Sequence, residues 1–166
     1  MRQPTKDYLD KIKTHLDGIS IQLIDELTKV INGDWGLKES KDLDKVSLLD
    51  IEIFTDGYRL GLYPMDKGLT QLGYKKLLQE YSNGLLSDEE LNPDINLYDL
   101  DNEDDNKELD EFESAQKEIF VTWFTNCWNK TDNKKLKKPI YLKFHDTSTS
   151  LDLNANRWVK DEIKWK

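Results

Sequence analysis

The amino-acid sequence predicts an α+β fold, an antiparallel sheet with helices packed on one face. Three observations lead there. Two long stretches repeat their apolar residues with helical spacing, a hairpin lies between them, and the later alternating segments are sequence neighbours joined by short turns. Neighbouring strands joined tightly pair antiparallel, and the helices between the strand groups then cover the sheet from one side. The 166 residues (1–166) fit one globular domain, which at that size buries about 70% of its unfolded surface.

The first element is an N-terminal helix over about residues 5–31, because Leu9, Ile12, Leu16, Ile19, Leu23, Leu27 and Val30 recur every three or four positions. Gly18 is placed to bend or split it, and Asn32-Gly33 ends it with residues that tolerate left-handed backbone. Between residues 47 and 64, Asp56-Gly57 predicts a two-residue type I′ turn. That turn pairs Ile53 with Leu60 and Ile51 with Leu62 on one face, and Phe54 with Arg59 and Glu52 with Gly61 on the other. Turn chemistry and alternation agree on this hairpin. Tyr74, Leu77, Leu78 and Tyr81 have helical spacing and predict a second helix, closed at Asn83-Gly84. Ser87 and Glu90 spell a capping box, and Pro93 limits any helix that follows.

Composition changes over residues 88–113, where thirteen acids stand against one base, Lys107. This predicts an acidic loop, with residues 99–106 exposed, opening a long aromatic-rich helix over about 106–129 capped by Asp105. Phe112, Ala115, Ile119, Phe120, Trp123, Phe124 and Cys127 form its buried stripe. Lysines 130, 134, 135, 137 and 138 follow. Ile140–Phe144 and Ser150–Leu153 then alternate as strands, and Asn154-Ala155-Asn156 turns into Arg157-Trp158-Val159, placing the C-terminal strands near 140–159. The last residues predict a short strand or a frayed end.

Charge and cysteine content narrow the function. A formal charge of −9 repels nucleic acid and anionic membranes and suits a basic protein partner. One cysteine, Cys127, excludes an internal disulfide and a Cys-rich zinc site. No stretch is long and apolar enough to span a bilayer, and the N-terminus lacks an apolar signal core, so a cytoplasmic protein is expected.

Motifs for chemistry fail on inspection. Asp99, Asp101, Glu103 and Asp105 alternate like calcium ligands, but an EF-hand needs Gly where Asp104 stands and Glu where Asp110 stands. Pro93-Asp94 and Glu162-Ile163-Lys164 spell pieces of a nuclease metal site about seventy residues apart, a match that chance supplies in so charged a chain. Cys127 and His145 lack an orienting third group, since Asp146 follows His145 directly, and a structural role fits the thiol better. His15 reads as a surface histidine. No cofactor or metal is expected.

What remains is a protein-binding module of the inhibitor or bacterial immunity type, which meets a basic partner through an acidic and aromatic patch. Its candidate residues are Asp99, Asp101, Glu103, Asp104, Asp105, Glu108, Asp110 and Glu111, with Tyr98 as an aromatic anchor and Phe112 and Trp128 as further anchors if exposed. Two alternatives are an enzyme using carboxylates, with or without a divalent metal, and a structural or adaptor subunit. The patch has force as a binding surface only if the lysines at 130–138 do not fold against it.

Overall fold

The computed structural model describes residues 1–81, 84–86 and 101–164. Three helices cover one face of a six-stranded sheet. They are α1 (Gln3–Gly18), α2 (Ser20–Ile31) and α3 (Glu103–Asn129). The strands are β1 (Leu48–Phe54), β2 (Arg59–Met65), β3 (Lys75–Leu77), β4 (Ile140–Phe144), β5 (Thr149–Asp152) and β6 (Arg157–Lys160), in the order β3-β2-β1-β4-β5-β6. A single turn, α4 (Asp161–Lys164), follows β6.

The N-terminal periodicity is realised as two helices. Ile19 leaves helical geometry (φ −105, ψ 10) directly after Gly18, and the stripe continues in α2. Ile12, Leu16, Ile19, Leu23, Leu27 and Val30 are all buried, so the interruption keeps the apolar face intact.

The hairpin register is the expected one, with Ile53 opposite Leu60, Ile51 opposite Leu62 and Phe54 opposite Arg59. Its turn differs. Residues 55–58 make the loop, with positive φ at Gly57 and Tyr58 rather than at Asp56 and Gly57. Tertiary contacts explain this: the Tyr58 ring lies 4.8 Å from Phe120, and its hydroxyl donates to Gln116 Oε1 at 2.8 Å.

Two expectations need correction. The helix expected at residues 74–81 is the short strand β3, paired with β2 through Leu60 and Leu77. An apolar pattern this short does not separate helix from strand, and the free edge of β2 decides it. The sheet is also mixed: β1 and β4 pair in parallel, Leu49 with Ile140 and Ile53 with Phe144, while the other pairings are antiparallel. Parallel neighbours need a crossover, and α3 lies in it.

Strand alternation divides the sheet's two faces. Leu49, Ile51, Ile53, Leu60, Leu62, Leu142 and Phe144 join Phe112, Phe120, Phe124 and Trp128 in one core. The opposite face carries Asp50, Glu52, Phe54, Arg59, Tyr63, Tyr141 and Lys143, with α4 packed against β6. Buried indoles are satisfied: Trp128 donates to Leu153 O at 3.2 Å and Trp35 to Val30 O at 2.7 Å.

Candidate functional site

α3 begins at Glu103, earlier than expected, because Asn102 is its N-cap and its side chain accepts from the Asp104 backbone N–H at 2.9 Å. The helix holds eight acids against two lysines, all within residues 103–118, and no charge from Ile119 to Asn129. Acids in the first turn also favour the positive end of the helix dipole. Glu103, Asp104 and Asp105 are helical, so they do not form a calcium loop. Among the described residues, no group of His, Cys, Asp and Glu is placed to hold a metal ion.

The structure divides the expected patch in two. Asp105 and Glu108 are buried, 6% and 8% exposed. The Arg2 guanidinium bonds Asp105 and reaches Glu108 at 3.1 Å, and the Arg2 backbone N–H and Thr5 hydroxyl donate to Glu108 Oε1 at 2.5 and 2.8 Å. Burial tends to raise the Glu108 pKa, but these donors and the Arg2 charge outweigh it and hold the carboxyl below its usual value. These two acids therefore fasten α1 to α3. Asp101, Glu103, Asp104, Asp110 and Glu111 are exposed, and Glu113 and Glu118 continue the acidic surface. Tyr98 and Asp99 lie outside the described residues, as do the capping box at 87–90, Pro93 and Asp94. Phe112 and Trp128 are core residues, 1% and 0% exposed, and supply no anchor.

Helix length answers the question of the lysines. A helix of 27 residues is about 40 Å long at 1.5 Å per residue. The acids start at one end of it and the lysine-rich segment follows the other. Lys135 pairs with Asp132 at 2.7 Å, and Lys138 donates to Val46 O at 2.6 Å. Even Glu118, the last acid of the run, lies twelve residues before Lys130, about 18 Å along the axis, which exceeds the Debye length of about 8 Å in physiological salt.

α1 and α3 run in parallel. Arg2 meets Asp105, Thr5 meets Glu108, and Trp123 donates its indole N–H to Ser20 Oγ at 2.9 Å, each pair 103 residues apart. Farther along, the two helices frame a groove of about 280 Å³ lined by Lys13, Leu16 and Asp17 from α1 and by residues of α3 from Ala115 to Asn126, Glu118, Ile119, Thr122 and Trp123 among them.

A second polar cluster lies on the sheet face opposite the core, beside α4, and the sequence pattern did not reveal it. Lys164 Nζ bonds Asp50 at 2.8 Å and Asp161 at 3.2 Å. Lys143 joins Asp161 at 3.3 Å to Glu52 at 3.6 Å, and Ser150 donates to Asp161 at 2.6 Å. Burial raises the Asp50 carboxyl above its usual value despite Lys164. At Asp161, burial is outweighed by the Ser150 hydroxyl and the two lysines, and the pKa falls. Alternation on β1 already placed Glu52 on this face, but Asp50 was not singled out, and its partner Lys164 comes from α4, 114 residues away. Lys164 is thus a buried counter-ion here.

Cys127 is buried in the core, its thiol 3.8 Å from Ser20 O, and burial pushes its pKa up. His145 Nδ1 lies 3.2 Å from Glu52, and its Nε2 lies 3.4 Å from Asp146, which takes positive φ in the turn after β4. His15 is half-buried, its Nε2 2.6 Å from Leu85 O, so it is not the plain surface residue expected. No helix among the described residues is long and apolar enough to cross a membrane. No protein-family model, curated protein or solved structure matches the chain.

Proposed function

We propose that this chain is a protein-binding module that engages a basic partner through the exposed acids of α3, as an inhibitor or immunity-type protein does. One observation carries the reading. Glu103, Asp104, Asp110, Glu111, Glu113 and Glu118 are exposed on a single helix that carries only Lys107 and Lys117 against them, while the lysine-rich segment at 130–138 follows its far end. Such a surface raises association rates with a basic partner and repels acidic ones. The aromatic part of the patch as first expected is smaller, since Phe112 and Trp128 belong to the core.

The test is affinity capture from lysate of the source organism at about 50 and 500 mM salt. The comparison variant changes Asp104, Asp110, Glu111 and Glu113 to Asn or Gln and leaves the fastening residues Asp105 and Glu108 intact. A basic protein held by the wild type, weakened by salt and lost with the variant supports the reading. An identical set of captured proteins from both overturns it.

A second reading, a structural subunit, draws on β6, the last strand of the sheet among the described residues. Trp158 on β6 and Ile163 on α4 are 51% and 54% exposed at this end of the sheet, a feature of surfaces that pair with another chain. A particle mass equal to one chain at about 100 μM, far above the Kd of a stable assembly, counts against it.

A further inference from the structure

We infer that the groove between α1 and α3 is the docking seat for a basic amphipathic helix of the partner, a conclusion that rests on the binding-module reading above. The groove has the parts such a helix needs. Half-buried Ala115 and Ile119 give it apolar surface over a closed floor of Leu16 and Trp123, Thr122 and Asn126 add exposed polar groups, and Asp17 and Glu118 place one carboxylate on each wall. Lys13 is the cation among the lining residues, one turn before Asp17 on α1. Glu111 is exposed two turns before Glu118 on the same flank of α3, its carboxylate 4.0 Å from the N-terminal amine.

Charge complementarity selects the occupant. An apolar trough between two parallel helices accepts a third helix as a row of side chains spaced three and four apart. The carboxylates on both walls require lysine or arginine flanking that row, and an acidic or neutral segment leaves them unmatched.

The experiment titrates the full chain with a synthetic peptide of about 18 residues, leucines at i, i+3, i+4 and i+7 and lysines elsewhere. A control peptide has the same composition with the leucines scattered round the helix. Binding is followed by anisotropy, and the Trp123 and Ile119 signals by proton–nitrogen correlation spectra at about 50 mM salt. The amphipathic peptide should bind at least about tenfold more tightly than the scattered one and shift both signals. Thr122→Trp, an exposed position on the lip, should abolish that preference by blocking the trough. Asp17→Lys with Glu118→Lys should weaken binding at least about fivefold, with melting curves confirming that each variant folds.

Equal binding of both peptides with Trp123 unmoved overturns the groove and leaves the acidic-surface reading standing, because plain charge attraction ignores leucine order. Preference unchanged in Thr122→Trp overturns the groove likewise. Binding of neither peptide at low salt counts against both.

Discussion

The Thr5 hydroxyl donates to Glu108 at 2.8 Å in a contact shielded from water, so an acid that composition assigns to a surface patch instead holds two helices together. Arg2 adds its backbone N–H and its guanidinium to the same carboxylate. The first residues of the chain thereby fix the start of α1 beside the start of α3.

Thr5→Val keeps the shape and removes the donor. A buried acceptor left short of one partner costs about 1 to 2 kcal/mol. The Glu108 pKa is depressed, so its contribution is present above the unfolded carboxylate value, about 4.3, and is lost as pH falls through the lower folded value. Urea unfolding should show a deficit for Thr5→Val at pH 7 that shrinks as pH falls through the lowered folded value, where the wild type loses the charge that strengthens the bond. A deficit that stays constant down to acid unfolding would show that the Thr5–Glu108 bond does not depend on the carboxylate charge.

Lys164→Met tests the cluster beside α4 in the opposite sense. The Lys164 side chain is 1% exposed and Asp50 8%. Removing one member of a buried pair costs about 3 to 5 kcal/mol. The folded pKa of Asp50 is raised, so its contribution is full below the unfolded value and is lost as pH rises through the folded one. The penalty in Lys164→Met should therefore be largest at pH 7 and fall on acidification, when Asp50 takes up a proton. Adding Asp50→Asn should recover most of it at pH 7. A penalty independent of pH and unrelieved by the second change would mean that lost packing, not an uncompensated carboxylate, is the cause.

Asn102 is the residue that starts α3, through its side-chain bond to the Asp104 N–H at 2.9 Å. Asn102→Ala should destabilise the protein by about 1 kcal/mol. Asp105, the cap expected from sequence, is instead the partner of Arg2. The effect of Asp105→Asn should therefore shrink in an Arg2→Gln background, whereas the effect of Asn102→Ala should persist there in full. Chemical denaturation of the two double variants separates the roles.

What the sequence made legible was local. The hairpin register followed from a turn and an alternation within twenty residues, and the stripe from Leu9 to Val30 followed from periodicity that survives the break at Ile19. Contacts between distant segments were hidden. Nothing near Tyr74–Tyr81 says that β2 has a free edge, so a pattern compatible with helix became β3. Nothing near Ile140 says that β4 pairs with β1 in parallel. In the candidate site, the exposure of Asp104, Asp110 and Glu111 is what their polarity predicts, but the use of Asp105 and Glu108 by Arg2 depends on contacts across more than a hundred residues. Lys164 and Asp50 were hidden for the same reason.

Two glycines mark where backbone approaches backbone, and a third marks where it does not. A Cβ on Gly73 would lie 2.3 Å from Gly36 O, and one on Gly36, whose φ is +65, would lie 2.3 Å from Tyr74 O. This crossing ties the segment after α2 to the one before β3, through the Leu37–Gly73 bridge and the Tyr74 N–H to Gly36 O bond at 3.0 Å. Gly18 has open space around its Cβ position and no positive φ. Gly73→Ala must push two backbones apart and should cost about 3 kcal/mol or more, the range of the larger single-residue effects. Gly18→Ala restricts the unfolded chain without a clash and should stabilise by about 0.4 to 1 kcal/mol. Paired urea titrations decide the matter: a midpoint for Gly73→Ala that does not fall would show that the Gly36–Gly73 crossing is not a tight backbone contact, and a midpoint for Gly18→Ala that falls would show that Gly18 is needed for more than space.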